Sequence, residues 1–214
     1  MGKNKKKAKK IAEAEHDLVG SVAAAAERKP IALLGAASEI ADQPPLVALS
    51  LATIAAGLVL RRRDVTRTGA RMLLAHALAT GGKTILKRSV DRARPGRALM
   101  DGEAKVGAGK GASDTEFNSF PSGHTAGAVS VAEAVARTTP QLALPARTSA
   151  AAIAGVQLPR GAHYPTDVAI GALIGWTADR IAGVIVDAAE RRIDRAREQR
   201  TDGAALAEAE AHPS

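Results

Sequence analysis

Residues 43–60 read QPPLVALSLATIAAGLVL, eighteen consecutive residues without a charge. A segment of this length reaches the lower limit for an α-helix that crosses a bilayer, and it also fits a buried helix. Four shorter uncharged segments follow along the chain, at residues 72–82, 120–132, 148–159 and 168–178. Because the chain carries almost no strand signal, we predict an all-α fold, a membrane helical bundle of about six helices.

Length and composition narrow the class of protein. The 214 residues have the length of one domain, and the lack of cysteine excludes disulfides and thiolate metal sites. The formal net charge of +8 suits anionic partners such as nucleic acid, anionic lipid or phosphate substrates. Aromatic residues make up only 2% of the chain, and no recognised nucleic-acid-binding motif occurs, so we predict no nucleic-acid partner.

Basic residues cluster at four places outside the apolar segments. They are Lys3, Lys5, Lys6, Lys7, Lys9 and Lys10; Arg61, Arg62, Arg63 and Arg67; Arg137 and Arg147; and Arg191, Arg192, Arg195, Arg197 and Arg200. Six crossings would place all four clusters on one side of a membrane, which the positive-inside rule makes cytoplasmic. The loops at the other ends of the helices would then face the periplasm or the exterior.

Some charges weigh against a membrane location. Arg71, Glu133, Asp179 and Arg180 lie inside or beside apolar stretches, and the mean hydropathy of −0.05 is low for an integral membrane protein. Charges inside a bilayer are costly. If the helices do cross, these side chains have to face the interior of the bundle or water.

The chain divides into three regions. Residues 1–17 are predicted to be a basic, disordered tail, residues 18–187 a helical domain with its site-bearing core at 68–186, and residues 188–214 a charged amphipathic extension. Within the core, residues 68–88 are predicted to form a helix. Residues 96–116 contain glycine and lysine and are predicted to form a mobile loop near the site.

Two cations and a Gly-His turn supply what a protein needs to hold a phosphoryl group. Lys87 and Arg94, seven residues apart, can both reach a phosphate, and the arginine can do so bidentately. Pro95 biases Arg94 towards an extended conformation, so the preceding helix should end there. Ser122 is placed to cap the next helix, while Gly123 lets the backbone approach a ligand. The N-terminus of that helix offers unpaired N–H groups that bind anions.

Two histidines supply the groups for acid–base and nucleophilic chemistry. His163 is followed four residues later by Asp167, whose carboxylate can accept a hydrogen bond from one ring nitrogen and leave the other free to attack phosphorus. His124 is then available as the acid for the leaving oxygen and later as the base for water.

In order and spacing, these segments resemble the motifs of the type 2 phosphatidic acid phosphatase / vanadium haloperoxidase superfamily. Residues 87–95 match its Lys, six residues, Arg-Pro pattern, residues 121–124 match Pro-Ser-Gly-His, and residues 163–167 match His, three residues, Asp. Each segment alone fits a helix end, a capped turn or a structural loop pair at least as well as catalysis. The three in order, across about residues 68–176, favour function strongly.

The resemblance implies a phosphatase of the membrane lipid phosphatase branch, with that branch's helical bundle. Its substrate would be a lipid phosphate or diphosphate: phosphatidate, phosphatidylglycerol phosphate or a polyprenyl diphosphate. His163 would attack phosphorus to give a phosphohistidine, Asp167 would steady His163, and His124 would protonate the leaving group. The phosphate oxygens would be held by Lys87, Arg94, Ser122, Gly123 and Arg160. No metal and no cofactor is implied.

The motifs also fall on the side of the bundle opposite to the four basic clusters. We therefore predict a multi-pass protein of the bacterial inner membrane, with its site facing the periplasm or exterior. The loop of the first motif is itself basic, which breaks the charge rule, and a phosphate-binding site explains the exception.

The third motif departs from the family pattern at its start. The family has Ser-Arg with five residues between that arginine and the histidine, where this chain has Val156 and Gln157. Arg160 follows three residues later, about one helical turn, although Pro159 interrupts a regular helix. We expect Arg160 to take over the phosphate contact, with Gln157 as the alternative.

Two other functions remain open from the sequence. Within the same superfamily, a vanadate-dependent haloperoxidase would bind vanadate in place of phosphate at His163, but the short chain and its bundle-like apolar segments weigh against this. In a different class, a non-catalytic protein would bind anionic lipid through its basic tails. Such a binder would lose its function when the tails are deleted, whereas a phosphatase would keep its turnover.

Overall fold

The computed structural model describes residues 2–23, 33, 35–36, 38–101, 106–109 and 117–211, and side chains from residue 10 to residue 203 apart from residues 12 and 23. Seven α-helices occur in this part of the chain, which confirms the predicted all-α class. They are α1 Gly2–Ala23, α2 Gln43–Val59, α3 Arg63–Ser89, α4 Pro95–Asp101, α5 Gly123–Thr138, α6 Ala143–Val156 and α7 Pro165–Ala211. Two 3-10 turns, Glu39–Ala41 and Pro140–Leu142, precede α2 and α6.

Five of the helices form the bundle. Helix α5 packs against α3, α6 and α7, and α3 packs in addition against α2 and α7. The core that they enclose is built mainly from alanine, because small side chains allow close approach of the helices: Ala75, Ala79, Ala126, Ala132, Ala134, Ala178 and Ala182 are buried. The predicted count of about six helices is therefore close to the architecture.

Glycines on α7 bring this helix into backbone contact with α5. A Cβ atom at Gly171 would lie 2.6 Å from the carbonyl oxygen of Ser122, and one at Gly175 would lie 2.5 Å from that of Ala126. Both distances are far shorter than ordinary van der Waals contact, so neither position has room for a side chain. The two glycines are four residues apart and share one helix face, which fixes the start of α7 against the start of α5.

Charged side chains within the bundle pair with one another. Asp179 is fully buried and binds Arg71 through both carboxylate oxygens, at 2.7 and 3.0 Å, while Arg137 lies 2.9 Å from the same carboxylate. Glu133 in turn accepts two hydrogen bonds from Arg147. Arg71, Glu133 and Asp179 are thus buried and paired, and pairing offsets their desolvation. Arg180, the fourth charge in the apolar stretches, is exposed and lies over the Trp176 ring.

The charge pairs gather towards one end of the bundle, which we call the Arg67 end. Arg67 binds Asp187 and Glu190, so the start of α3 lies beside the middle of α7. The basic residues that follow residues 43–60 and those of the α5–α6 connection lie towards this end.

The opposite end of the bundle, which we call the Lys87 end, brings together the last turn of α3 and the first turns of α2, α5 and α7. Gln43 donates to Thr80 across the α2–α3 pair, and His124 at the start of α5 lies 3.1 Å from Asp42. All three predicted motifs are located at this end.

A short ribbon and two helices surround the Lys87 end, and here the structure departs from the sequence prediction. Residues 96–116, predicted to be a loop, contain helix α4 and the strand Val106–Ala108, which pairs antiparallel with Val90–Arg92. Residues 102–105 and 110–116 of this segment lie outside the described residues.

The N-terminal segment also differs from the prediction. Residues 2–17, predicted to be a disordered tail, are helical and belong to α1. Lysine and alanine dominate the start of this segment and are good helix formers, which accounts for the difference. Helix α1 packs on α4 and buries Glu15 and Val19, so it lies at the Lys87 end. Six crossings would have put the N-terminal segment with the basic clusters at the Arg67 end.

Length and composition support one membrane crossing in the described part of the chain. The segment Pro165–Gly203 of α7 is long and apolar enough, whereas the 17-residue α2 is apolar but shorter. Both helices present large apolar side chains outward, at Leu49, Leu58, Leu173, Ile181 and Val184. Six crossings were predicted, and the structure by itself shows no topology.

Replacing Gly175 by alanine should destabilise the protein, by about 1–3 kcal/mol, because the new methyl group would overlap the backbone of α5. The matched control is Gly155→Ala in α6, where a Cβ meets nothing within 4 Å. That substitution should be neutral or stabilising, since alanine favours a helix over glycine. Thermal unfolding in detergent measures both, and equal midpoints for the two variants would contradict the close packing.

Candidate active site

The first motif is held by the segment that follows the ribbon. Lys87 lies in the last turn of α3, and its Nζ donates to the backbone carbonyl of Asn118 at 3.1 Å. The backbone N–H of Ser119 donates to the carbonyl of Arg92 at 3.0 Å. Residues 118–119 are therefore held in place by hydrogen bonds to Lys87 and to Arg92.

The second motif forms the N-terminus of α5 as predicted. Ser122 is the N-cap and its hydroxyl accepts from the backbone N–H of Thr125 at 3.4 Å. Its own N–H donates to the backbone carbonyl of Asp167 at 3.0 Å, which ties the second motif to the third. The free N–H groups of this helix start face the space that Lys83 also enters, because a Cβ at Gly123 would lie 3.2 Å from Lys83 Nζ.

The third motif presents one buried imidazole in a defined tautomer. Nδ1 of His163 lies 2.7 Å from the carbonyl oxygen of Ser119, and His163 is only 2% exposed. A carbonyl oxygen can only accept, so Nδ1 carries the proton and donates it. The lone pair of Nε2 is then free for a ligand, as a nucleophilic histidine requires.

The surroundings of His163 keep the imidazole neutral. Burial lowers the pKa of His163 to about 3, with the positive charges of Arg94 and Lys87 and the His124 ring acting in the same direction. The hydrogen bond to Ser119 opposes them. The groups named by the three motifs thus act on one another electrostatically, as expected for side chains of one site.

Asp167 is close to His163 but does not orient it as predicted. Its Oδ2 lies 3.9 Å from His163 Nδ1, beyond hydrogen-bond range, and accepts instead from the backbone N–H of Tyr164 at 2.8 Å. Its Oδ1 accepts from Arg92 at 2.7 Å. The carboxylate therefore caps the first turn of α7 and supplies a nearby negative charge, while the Ser119 carbonyl sets the tautomer.

A helix-ending turn delivers His163 to the site. After α6 the chain makes one more turn, which ends at Gly161 in the left-handed region with φ at 61°. The N–H of Ala162 donates to the carbonyl of Gln157, and the N–H of Gly161 donates to that of Leu158. This pair of bonds is the Schellman pattern, in which glycine reverses the chain direction.

Gln157 and Arg160 lie on this turn, where the family arginine is missing. Gln157 is fully buried and donates to Ser38 and to the carbonyl of Ile153. Arg160 is partly exposed and donates to Ser38 at 2.7 Å and to Glu39 at 2.8 Å. It is therefore the exposed member of the pair that can reach a ligand.

Arg160 also faces a cavity together with Arg94. The cavity has a volume of about 400 Å³ and is lined by Arg94, Gly96, Arg97, Met100, Arg160, Gly161 and Ala162. Three arginines among the lining residues make it suitable for an anionic group.

The second histidine faces carboxylates from the start of α2. His124 Nε2 lies 3.1 Å from Asp42 and 3.7 Å from Glu39, and these three residues could together hold a metal ion. Arg160 lowers the pKa of Glu39 through a hydrogen bond. Glu39 already pairs with Arg160 at 2.8 Å, so the geometry gives no specific reason to place a metal here.

Four residues of the site were missed by sequence analysis. Lys83 lies one helical turn before Lys87, and that spacing was the signal that could have found it. Ser119 acts through its backbone carbonyl, which leaves no signal in a sequence. Arg92 and Glu15 bind each other at 2.8 Å although 77 residues separate them, and a single sequence does not indicate such a pair.

Comparison with known proteins gives consistent matches. A model of the PAP2 superfamily matches residues 68–191. Decaprenylphosphoryl-5-phosphoribose phosphatase of Mycobacterium tuberculosis (strain ATCC 25618 / H37Rv) is 32% identical over 144 residues, which are 65% of this chain and 68% of that protein. The crystal structure of Aquifex aeolicus LpxE covers 78% of this chain and 92% of its own, with a TM-score of 0.58 and 20% identity. That of the first transmembrane PAP2 type phosphatidylglycerolphosphate phosphatase from Bacillus subtilis covers 82% and 96%, with a TM-score of 0.38 and 19% identity.

The family match and the three motifs at one end of the helical bundle together give the class of protein. The chain belongs to the PAP2 superfamily and is a phosphoric ester hydrolase. The superfamily and enzyme class predicted from the three motifs are thereby confirmed, and the likeness to LpxE confirms the predicted bundle fold.

His163 should remain neutral far below the pH at which an ordinary histidine titrates. Its folded-state pKa of about 3 lies below the usual 6.5, so the folded protein binds fewer protons than the unfolded chain between these values. The neutral His163 ring therefore contributes to the free energy of unfolding above pH 6.5, and this contribution is lost as the pH falls towards 3. NMR of histidine-labelled protein, with His163→Gln for assignment, should show its neutral signal unchanged at pH 5. A midpoint near 6.5 would contradict the buried neutral ring.

Proposed function

We propose that this protein removes phosphate from a lipid phosphate or diphosphate through a phosphohistidine formed at His163. The observation that carries the proposal is the His163–Ser119 hydrogen bond, which leaves Nε2 unprotonated in a site with Lys87 and Arg94. A neutral imidazole among cations suits attack on a phosphate, because the anion meets a nucleophile with no negative charge of its own.

In the first step, Nε2 of His163 forms a bond to phosphorus and the bond from phosphorus to the leaving oxygen breaks. His124, protonated, gives its proton to that oxygen, which departs as the alcohol or lipid phosphate. The ring of His163 becomes positively charged when it is phosphorylated. The carboxylate of Asp167, 3.9 Å from Nδ1, offsets this charge.

In the second step, water attacks the phosphohistidine and His124, now neutral, takes its proton. The P–N bond breaks, and inorganic phosphate leaves with His163 restored to its neutral form. Throughout both steps the equatorial oxygens are held by the cations Lys83, Lys87 and Arg94, by Arg160, and by the backbone N–H groups that follow Ser122.

The lipid nature of the substrate is supported by the family and by one relative. That relative is named for action on decaprenylphosphoryl-5-phosphoribose, and it is 32% identical to this chain over 144 aligned residues. We therefore place a polyprenyl-linked phosphate ahead of phosphatidate and phosphatidylglycerol phosphate. The exposed apolar side chains of α7, such as Leu173 and Ile181, would lie against the lipid chain.

The membrane placement that we propose is supported by the difference between the two ends of the bundle. The basic residues around Arg62 and Arg147 lie towards the Arg67 end, which the positive-inside rule makes cytoplasmic. The five bundle helices would then cross the membrane, and the site at the Lys87 end would face the periplasm or exterior. The exposed apolar side chains of α2 and α7 support this placement.

The purified protein should release inorganic phosphate from at least one lipid in a panel of four. The panel contains phosphatidate, phosphatidylglycerol phosphate, a polyprenyl diphosphate and decaprenylphosphoryl-5-phosphoribose, each in detergent. His163→Ala should lower kcat about a thousandfold or more, because it removes the nucleophile. Retained activity in the His163→Ala variant would contradict the assignment of His163 as the nucleophile.

His124→Ala should show a different pattern, because p-nitrophenolate leaves without a proton. In the first turnover, the variant should release the alcohol of an alkyl phosphate about 10²- to 10⁴-fold more slowly and p-nitrophenolate with a much smaller loss, whereas His163→Ala loses both reactions. Rapid-mixing measurement of this first release separates the acid role from the later base role of His124 in hydrolysis, and equal first-turnover losses on the two substrates would contradict the role of His124 as the acid.

Arg160→Ala should raise KM for the phosphate substrate by about tenfold, because it removes a bidentate phosphate contact. Arg88→Ala is the matched control, since Arg88 is an exposed cation one residue after Lys87 and its loss changes the net charge equally. If Arg160→Ala and Arg88→Ala behave alike, Arg160 does not replace the family arginine.

A further inference from the structure

The N-terminal helix inserts one carboxylate into the site. Glu15 is buried on α1, and its Oε2 lies 2.8 Å from Arg92 Nη2. Its Oε1 accepts from the backbone N–H of Thr166 at 2.8 Å, in the first turn of α7. One carboxylate thus satisfies an N–H group at the start of α7, which has no partner within its own helix, and binds the cation of the ribbon.

Arg92 connects Glu15 to Asp167 and to the first turn of α7. Its Nη1 donates to Asp167 Oδ1 at 2.7 Å and to the Thr166 hydroxyl at 2.8 Å. Its guanidinium lies 3.9 Å from the centre of the Tyr164 ring, so the group is held in plane as well as at both edges. Arg92, Tyr164 and Asp167 are all buried.

We propose that Glu15 is a positioning residue. It holds Arg92 in contact with Asp167, so that α1 contributes to the geometry of the catalytic site. This inference rests on the proposed phosphohistidine mechanism. It extends that mechanism to a helix lying outside the segment matched by the family model, which begins at residue 68.

The physical basis is the number of partners that each charged group keeps. With Glu15 in place, the guanidinium of Arg92 binds a carboxylate on each side and has one orientation. Without that charge, Arg92 keeps Asp167, the Thr166 hydroxyl and the Tyr164 ring but loses the carboxylate at Nη2. Its guanidinium is then held less firmly, and so is the hydrogen bond that it donates to Asp167. The carboxylate then shifts relative to His163 Nδ1, and the positive charge of the phosphohistidine is less well offset.

This mechanism predicts an effect on turnover rather than on binding. Lys83, Lys87 and Arg94, which hold the phosphate, do not belong to the Glu15 network. Glu15→Gln, which keeps the shape and removes the charge, should therefore lower kcat about tenfold and leave KM within about twofold. Glu15→Asp keeps the charge on a shorter side chain and should fall between the wild type and Glu15→Gln.

The matched control is Asp17→Asn, two residues further along the same helix. Asp17 is exposed, and its substitution changes the net charge by the same amount. It should leave kcat and KM unchanged. Thermal midpoints measured for all variants identify any loss of folding. If Glu15→Gln does not fold, the kcat and KM of Glu15→Asp test the inference instead.

The deciding measurement is a double-mutant cycle with Asp167→Asn, using p-nitrophenyl phosphate as substrate. If Glu15 acts through Asp167, Glu15→Gln should cost nothing further in the Asp167→Asn background. Additive losses, or a wild-type kcat for Glu15→Gln, would overturn the inference. Because this substrate requires no particular lipid, failure of the lipid panel does not affect the result. An active His163→Ala variant would instead reject the proposed mechanism.

Discussion

The hydrogen bond from His163 Nδ1 to the Ser119 carbonyl is the contact on which the site depends. It fixes which ring nitrogen carries the proton, because a backbone carbonyl oxygen can accept a hydrogen bond but cannot donate one. The N–H of Ser119 in turn donates to the carbonyl of Arg92, and the neighbouring Asn118 carbonyl accepts a hydrogen bond from Lys87. Residues 118–119 thus connect the imidazole of His163 to Lys87 and to Arg92.

Charge in the site is arranged for a ligand that brings negative charge with it. Lys83 lies beside the start of α5, Lys87 and Arg94 act on the His163 imidazole, and burial of that imidazole keeps His163 from adding another positive charge. The carboxylates stand behind or beside these groups: Asp167 at the first turn of α7, and Asp42 next to His124. In the mechanism that we propose, a phosphate oxyanion would complete this balance of charge.

The bundle brings these segments together because its helices approach closely. Gly171 and Gly175 let α7 touch the backbone of α5, so the third motif meets the second within one turn of each helix. At the other end of the bundle, Asp179 binds two arginines from different helices and offsets the cost of burying them. Small residues and paired charges, rather than large apolar side chains, give this bundle its fixed geometry.

The sequence by itself determined the helical class, the superfamily and the residues of three motifs, because helix periodicity, the Ser122 cap and motif spacing are local properties of the chain. It also indicated the basic clusters of the Arg67 end. Only the tertiary structure decided that a carbonyl, not Asp167, sets the tautomer of His163, and that α1 reaches the site through Glu15. Those contacts join residues that lie tens of positions apart or act through the backbone, so packing selects them and no local pattern records them.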